Sequence, residues 1–115
     1  MAIALAKKGH DIIITYNSQK EKADAVVKEI EATGRKAAAM QFDASQPGSI
    51  TKFITELKSI LIKSFGRDKF DFLINNAGIG ATIPFEKSSE ADFDSFMNIH
   101  FKSVYFLTQQ ALPVM

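Results

Sequence analysis

The sequence predicts an α/β domain built as a doubly wound parallel sheet, and three observations carry that expectation. Helical and strand-like hydrophobic patterns alternate along the chain, the strand-like runs are apolar on both faces, and loops of small or polar residues follow them. Strands joined by right-handed helical crossovers run parallel, so their carboxyl ends and the loops beyond them share one edge, where such sheets bind ligands.

Ala2, Leu5 and Ala6 recur at helical spacing, and Lys7, Lys8 and Gly9 supply the cations and glycine of a helix end, so the chain opens inside a helix. Ile12 to Tyr16 is a β-branched run without polar alternation, as in a parallel strand buried on both faces, and Asn17-Ser18 closes it. Ser18 is the expected cap of the second helix, whose stripe of Ala23, Val26, Val27 and Ile30 stops at Thr33-Gly34. Ala37 to Phe42 reads as the second strand. Gln46-Pro47-Gly48-Ser49 then opens a helix with Ile50, Phe53, Ile54, Leu57, Ile60 and Leu61 on one side, ending near Gly66.

Phe70 to Ile74 is expected as a third buried strand. Asn75-Asn76-Ala77-Gly78-Ile79-Gly80 follows, a loop of small, turn-forming residues that lets backbone approach a ligand closely. Ser88 to Met115 carries Glu and Asp early and apolar Phe93, Phe96, Met97, Val104 and Leu107, the pattern of a long, mostly buried helix. The expected total is three strands and four helices, with the loops at Tyr16-Asn17-Ser18, Asp43-Ala44-Ser45 and Asn75 to Gly80 on the ligand edge.

Composition bounds the function. At 115 residues, with 46% hydrophobic and 23% charged content, residues 1–115 form one domain. The formal net charge of +1 is spread without a basic or acidic block, which excludes an electrostatic drive toward nucleic acid or an anionic membrane. No apolar run reaches the roughly 18 residues of a membrane span, and residues 1–14 lack a signal peptide's layout, so a cytoplasmic protein is expected. The absence of cysteine excludes disulfides, thiolate catalysis and cysteine-ligated metal, and the pattern holds no metal-ligand cluster. Redox chemistry must then come from a cofactor.

The three loops resemble those of the short-chain dehydrogenase/reductase family over essentially the whole chain. Asn75-Asn76-Ala77-Gly78 after an apolar strand is the most specific match; Asp43 after the second strand resembles the family's adenine-contacting Asp, and Phe101 to Pro113 its first dimer helix. The resemblance implies a partial Rossmann fold and an oxidoreductase moving hydride between a nicotinamide cofactor and a small carbonyl or alcohol substrate. It implies cofactor contacts at Tyr16, Asn17, Ser18, Asp43, Ala44, Asn75, Asn76, Ala77 and Gly78, and a homo-oligomer through the 88–115 helix. For Asp43, a helix-capping role is the alternative. It also implies a Gly-x-x-x-Gly-x-Gly turn before Met1 and a Ser and a Tyr-x-x-x-Lys pair after Met115, so a fragment without turnover of its own is expected.

Family members that prefer NAD usually carry an acid after the family's second strand, which corresponds to the Ile12 to Tyr16 strand of this chain, to accept from the ribose 2′-OH. Tyr16 stands there, and Asn17 and Ser18 can donate to a phosphate, so NADP(H) is favoured over NAD(H). The family's catalytic Asn, which holds a relay water, first suggests Asn98. Counting from Asn75 and matching Lys102 and Leu107-Thr108-Gln109 puts His100 at that position instead, with Asn98 about 200° away round a straight helix. Either a helical irregularity restores Asn98, or His100 holds the water or exchanges a proton near neutral pH; a histidine satisfied by a backbone carbonyl is the simpler alternative. A non-catalytic fragment keeping only an oligomerisation helix and part of the cofactor wall stays open, as does a different doubly wound nucleotide binder such as a methyltransferase, against which the Asn-Asn-Ala-Gly loop argues.

Overall fold

A computed structural model describes residues 1–115. Its elements are α1 (Ala2–Lys7), β1 (Ile12–Tyr16), α2 (Lys20–Glu31), β2 (Ala37–Gln41), α3 (Ile50–Ile60) continuing as a π-turn (Leu61–Phe65), and a rod made of α4 (Glu90–Met97), a second π-turn (Asn98–Lys102) and α5 (Ser103–Ala111). Three helices end at glycines that take positive φ, Gly9 at 97°, Gly34 at 81° and Gly66 at 69°, a left-handed turn that only glycine adopts without strain.

β1 and β2 pair in parallel, with Ile12 opposite Ala37 and Tyr16 opposite Gln41, because the α2 crossover returns the chain to the start of the sheet. Alternation along the strands covers both faces. Ile13 and Met40 pack into a cluster with Phe42, Ile50, Phe53, Ile54, Leu57, Leu61 and Ala111, while α2 covers the other face with Ala23 and Ile30 buried. The Phe42 and Phe53 rings meet at 4.8 Å in this core.

The expected third strand is not part of the sheet, which has two strands. Phe70 to Ile74 runs without a ladder partner, its Phe70 amide donating to the Val114 carbonyl at 3.0 Å and Phe72 left 72% exposed. An apolar run announces burial on both faces, but a ladder needs a neighbouring strand about 4.8 Å away, and β1 and β2 are paired only with each other. Ser18 is not a cap either; Gln19 occupies the position before α2 and makes no side-chain capping bond.

The last helix is shorter and barer than its sequence suggests. It starts after Ser89, whose hydroxyl accepts from the Asp92 amide at 3.1 Å while the Asp92 carboxylate accepts from the Ser89 amide at 3.0 Å. The hydrogen bond from the Ser89 hydroxyl holds the Asp92 carboxyl below its ordinary value. Along the rod only Ile99, Ser103 and Ala111 are buried, whereas Phe93, Phe101 and Tyr105 lie largely in solvent.

Candidate cofactor edge

Parallel pairing places the carboxyl ends of β1 and β2 side by side, and two bonds fix the loops that leave them. The Phe42 amide donates to the Tyr16 carbonyl at 2.8 Å, and the Gln41 side chain donates to the Asn17 carbonyl at 3.1 Å. Tyr16, Asn17 and Ser18 then line an open groove of about 500 Å³ together with Gln19 and Lys22 of α2. No carboxylate lines this groove. Lys22 forms no ion pair, whereas its neighbour Lys20 is held by Asp24 at 2.6 Å, a hydrogen bond that raises the Lys20 ammonium above its ordinary value. Lys22 escaped the sequence reading because charges on a helix face look solvated until the groove beside them is known.

Tyr16 and Lys20 have Tyr-x-x-x-Lys spacing, but Tyr16 ends a strand and Lys20 begins a helix. That spacing sets a phenol beside an ammonium only on a continuous helix.

The second loop is tied inward. One Asp43 carboxylate oxygen accepts from the Ser45 amide at 2.9 Å and from its hydroxyl at 2.7 Å, a local turn in place of a helix cap. The hydroxyl of Ser103, buried in the rod, donates to the Ala44 carbonyl at 2.5 Å. Ser103 carries no local sequence signal, since the same helix also holds the hydroxyls of Tyr105 and Thr108.

The third loop lies along the same rod. Asn75 donates to the Thr108 hydroxyl at 3.2 Å, and the His100 ring Nε2 stands 2.8 Å from the Ile79 carbonyl. The eight residues from His100 to Thr108 span about 12 Å of helix and the four from Asn75 to Ile79 about 13 Å of extended chain, so the loop runs antiparallel to the rod, nearly straight. Asn75, Asn76, Ala77 and Gly78 are exposed along it. With Ala44 and Asn75 bonded to rod residues five apart, the second and third loops start within roughly 10 Å of each other.

The π-turn over Asn98–Lys102 is the irregularity that a straight-helix count could not place. It does not bring Asn98 to the loop. Asn98 lines a groove of about 580 Å³ with Gln46, Thr51, Lys102 and Gln110, while His100 faces Gly78 and Ile79. His100 is therefore both bonded to a backbone carbonyl and placed at the loop, two alternatives the sequence had set apart. No group of His, Asp and Glu side chains converges as a metal site, and no helix is long and apolar enough to cross a membrane.

A family model described as short chain dehydrogenase matches residues 1–115. The 3-oxoacyl-(acyl-carrier-protein) reductase FabG of Staphylococcus aureus is 32% identical over 115 residues, covering 100% of this chain and 44% of that protein. The hydroxynaphthalene reductase-like protein Arp2 of Metarhizium brunneum is 30% identical over 111 residues, 96% of this chain and 39% of that protein. The chain thus spans less than half the length of these relatives. A short chain dehydrogenase from Burkholderia cenocepacia, solved in complex with NADP, superposes with a TM-score of 0.86 at 33% identity, over 99% of this chain and 44% of that one.

Proposed function

This chain belongs to the short chain dehydrogenase family, and from that premise we propose that it supplies the cofactor edge of an oxidoreductase moving hydride between NADP(H) and a small carbonyl or alcohol substrate. The observation that carries the reading is the convergence of three loops on one edge, two of them bonded to a single rod through Ser103, Thr108 and His100. Relatives described as reductases and a neighbour solved with NADP support the same chemistry.

The residues fit the cofactor. The Asn17 and Ser18 side chains offer donors, Lys22 offers the only cation in a groove free of carboxylates, and these together suit a ribose carrying a 2′-phosphate. Ser45 occupies one oxygen of Asp43 and leaves the other for an adenine amino group. Asn76, Ala77 and Gly78 present a small-residue wall along which a flat ring could lie. When bound, the nicotinamide gives or takes the hydride. The chain's own residues bind and orient: the β-strand loops hold the adenosine half, and the rod holds the loop meant for the nicotinamide half. The glycine turn and the helix-borne Tyr-x-x-x-Lys pair implied by the family resemblance are not among these 115 residues, so the reading concerns binding and orientation. His100 stands where the family resemblance puts the catalytic Asn, and we assign it to this site ahead of Asn98.

Cofactor preference tests the assignment of the adenosine half. Lys22→Glu should weaken NADPH binding about tenfold or more, the effect of turning one attraction to the 2′-phosphate into a repulsion, and leave NADH binding within about twofold. Equal losses for both cofactors, or none, would remove Lys22 from the site.

The same reading includes a homo-oligomer. Phe93, Met97, Phe101 and Tyr105 recur every four residues along the rod and are exposed, an apolar face suited to a second copy.

A further inference from the structure

We propose that His100 is a positioning residue: its imidazole clasps the Asn75 to Gly80 loop by bonding the loop backbone directly, and Gly78 is the partner that makes room for the ring. The inference deepens the cofactor reading above and rests on it for its functional meaning.

Three contacts define the clasp. His100 Nε2 lies 2.8 Å from the Ile79 carbonyl oxygen and 3.2 Å from the Ile79 amide nitrogen. One ring nitrogen cannot donate and accept at once: with its proton on Nε2 the ring donates to the Ile79 carbonyl, with its proton on Nδ1 Nε2 accepts from the Ile79 amide, and either tautomer bonds the same loop residue. On its other side the ring stacks on Phe96, centroids 5.7 Å apart and planes at 18°, which restricts its rotation.

Third, a β-carbon added to Gly78 would meet His100 Cε1 at 2.9 Å and Nδ1 at 3.5 Å. Any side chain at position 78 therefore competes with the imidazole for the same space. The φ of Gly78 is not positive, so the demand for glycine here comes from the ring and not from backbone conformation. The π-turn completes the arrangement, since the residue it inserts lets His100 face the loop while Ile99 and Ser103 stay buried beside it.

A shorter or apolar side chain at position 100 would leave the Ile79 carbonyl to water and the loop held only at Asn75. The loop would then have to be ordered when a ligand binds, at a cost in affinity.

The test uses two variants of the chain. His100→Phe keeps a ring against Phe96 and Gly78 and removes the ring nitrogen that bonds Ile79; Gly78→Ala keeps that nitrogen and removes the ring's space. Both positions are exposed, so folding, checked by circular dichroism, should survive. In the native chain, nitrogen NMR should show His100 held in a single tautomer and single, sharp Gly78 and Ile79 amide signals. Both variants should broaden the Ala77 to Gly80 amides and leave β1 and β2 unchanged, and both should weaken NADPH about tenfold. His100→Gln, which restores an N–H donor, should recover part of the loss. Unchanged loop signals in both variants, or a native His100 ring exchanging freely between its two tautomers, would overturn the clasp. An ordered loop that the variants release, in a chain that does not bind NADPH, would keep the clasp and reject the cofactor reading.

Discussion

Ile50→Ala should destabilise the chain by about 2 to 5 kcal/mol, the cost of removing three buried carbons and leaving a cavity that neighbours only partly fill. Ile50 is 0% exposed, at the first turn of α3, among Met40, Phe42, Phe53 and Ala111. The loss is large against the whole. A domain of this size is commonly stable by about 6 to 15 kcal/mol, and with 14 of 115 residues buried this one belongs at the low end. Urea unfolding followed by circular dichroism should show the midpoint falling by about 1 to 2 M. Ile62→Ala supplies the matched control: same chemistry, in the π-turn that continues α3, but 61% exposed, with an expected change under about 0.5 kcal/mol. Equal effects at the two positions would mean that the core lies elsewhere than between β2, α3 and α5.

Phe101→Glu should convert an oligomer into a monomer. Phe101 sits in the middle of the four-residue repeat from Phe93 to Tyr105 and is 63% exposed in the single chain. Burying a phenylalanine against a second copy contributes about 2 to 3 kcal/mol, and a carboxylate in its place would be desolvated without a partner. The dissociation constant should rise by roughly a hundredfold or more, which sedimentation velocity reads directly. A native chain that stays monomeric at high concentration, or a variant that associates equally well, would withdraw the rod as an interface.

Much of this architecture is legible in the residues. β1 and β2 follow from their β-branched and small apolar runs, and the glycines at 9, 34 and 66 mark helix ends because each adopts the left-handed turn expected of it. What is not legible depends on partners. Phe70 to Ile74 has the composition of a buried strand, yet no ladder reaches it, since composition states what a segment needs and not what lies beside it. The last helix likewise reads as buried from its aromatics, yet Phe93, Phe101, Tyr105 and Phe106 face solvent in the single chain.

The site divides the same way. The positions of the first two loops follow from strand order, which is local pattern plus handedness, whereas the third follows a segment outside the sheet and is placed by its bonds to the rod. The bonds that hold them, Ser103 to Ala44 and Asn75 to Thr108, join residues 59 and 33 apart in sequence and have no local signature. The π-turn is invisible for a related reason: inserting one residue into a helix changes its phase without changing its composition. A count at 100° per residue separates Asn98 from His100 correctly but cannot say which of them the loop will meet.

The most direct test of the cofactor edge is an amide NMR titration of the folded chain with NADPH and, in parallel, with NADH. NADPH should shift Tyr16 to Ser18, Lys22, Asp43 to Ala44 and Asn75 to Gly78, at lower concentrations than NADH, and leave Asp11, Arg35 and Arg67 at the opposite edge unmoved. A folded chain whose shifts appear at that opposite edge, or in which neither cofactor moves these loops, would contradict the assignment.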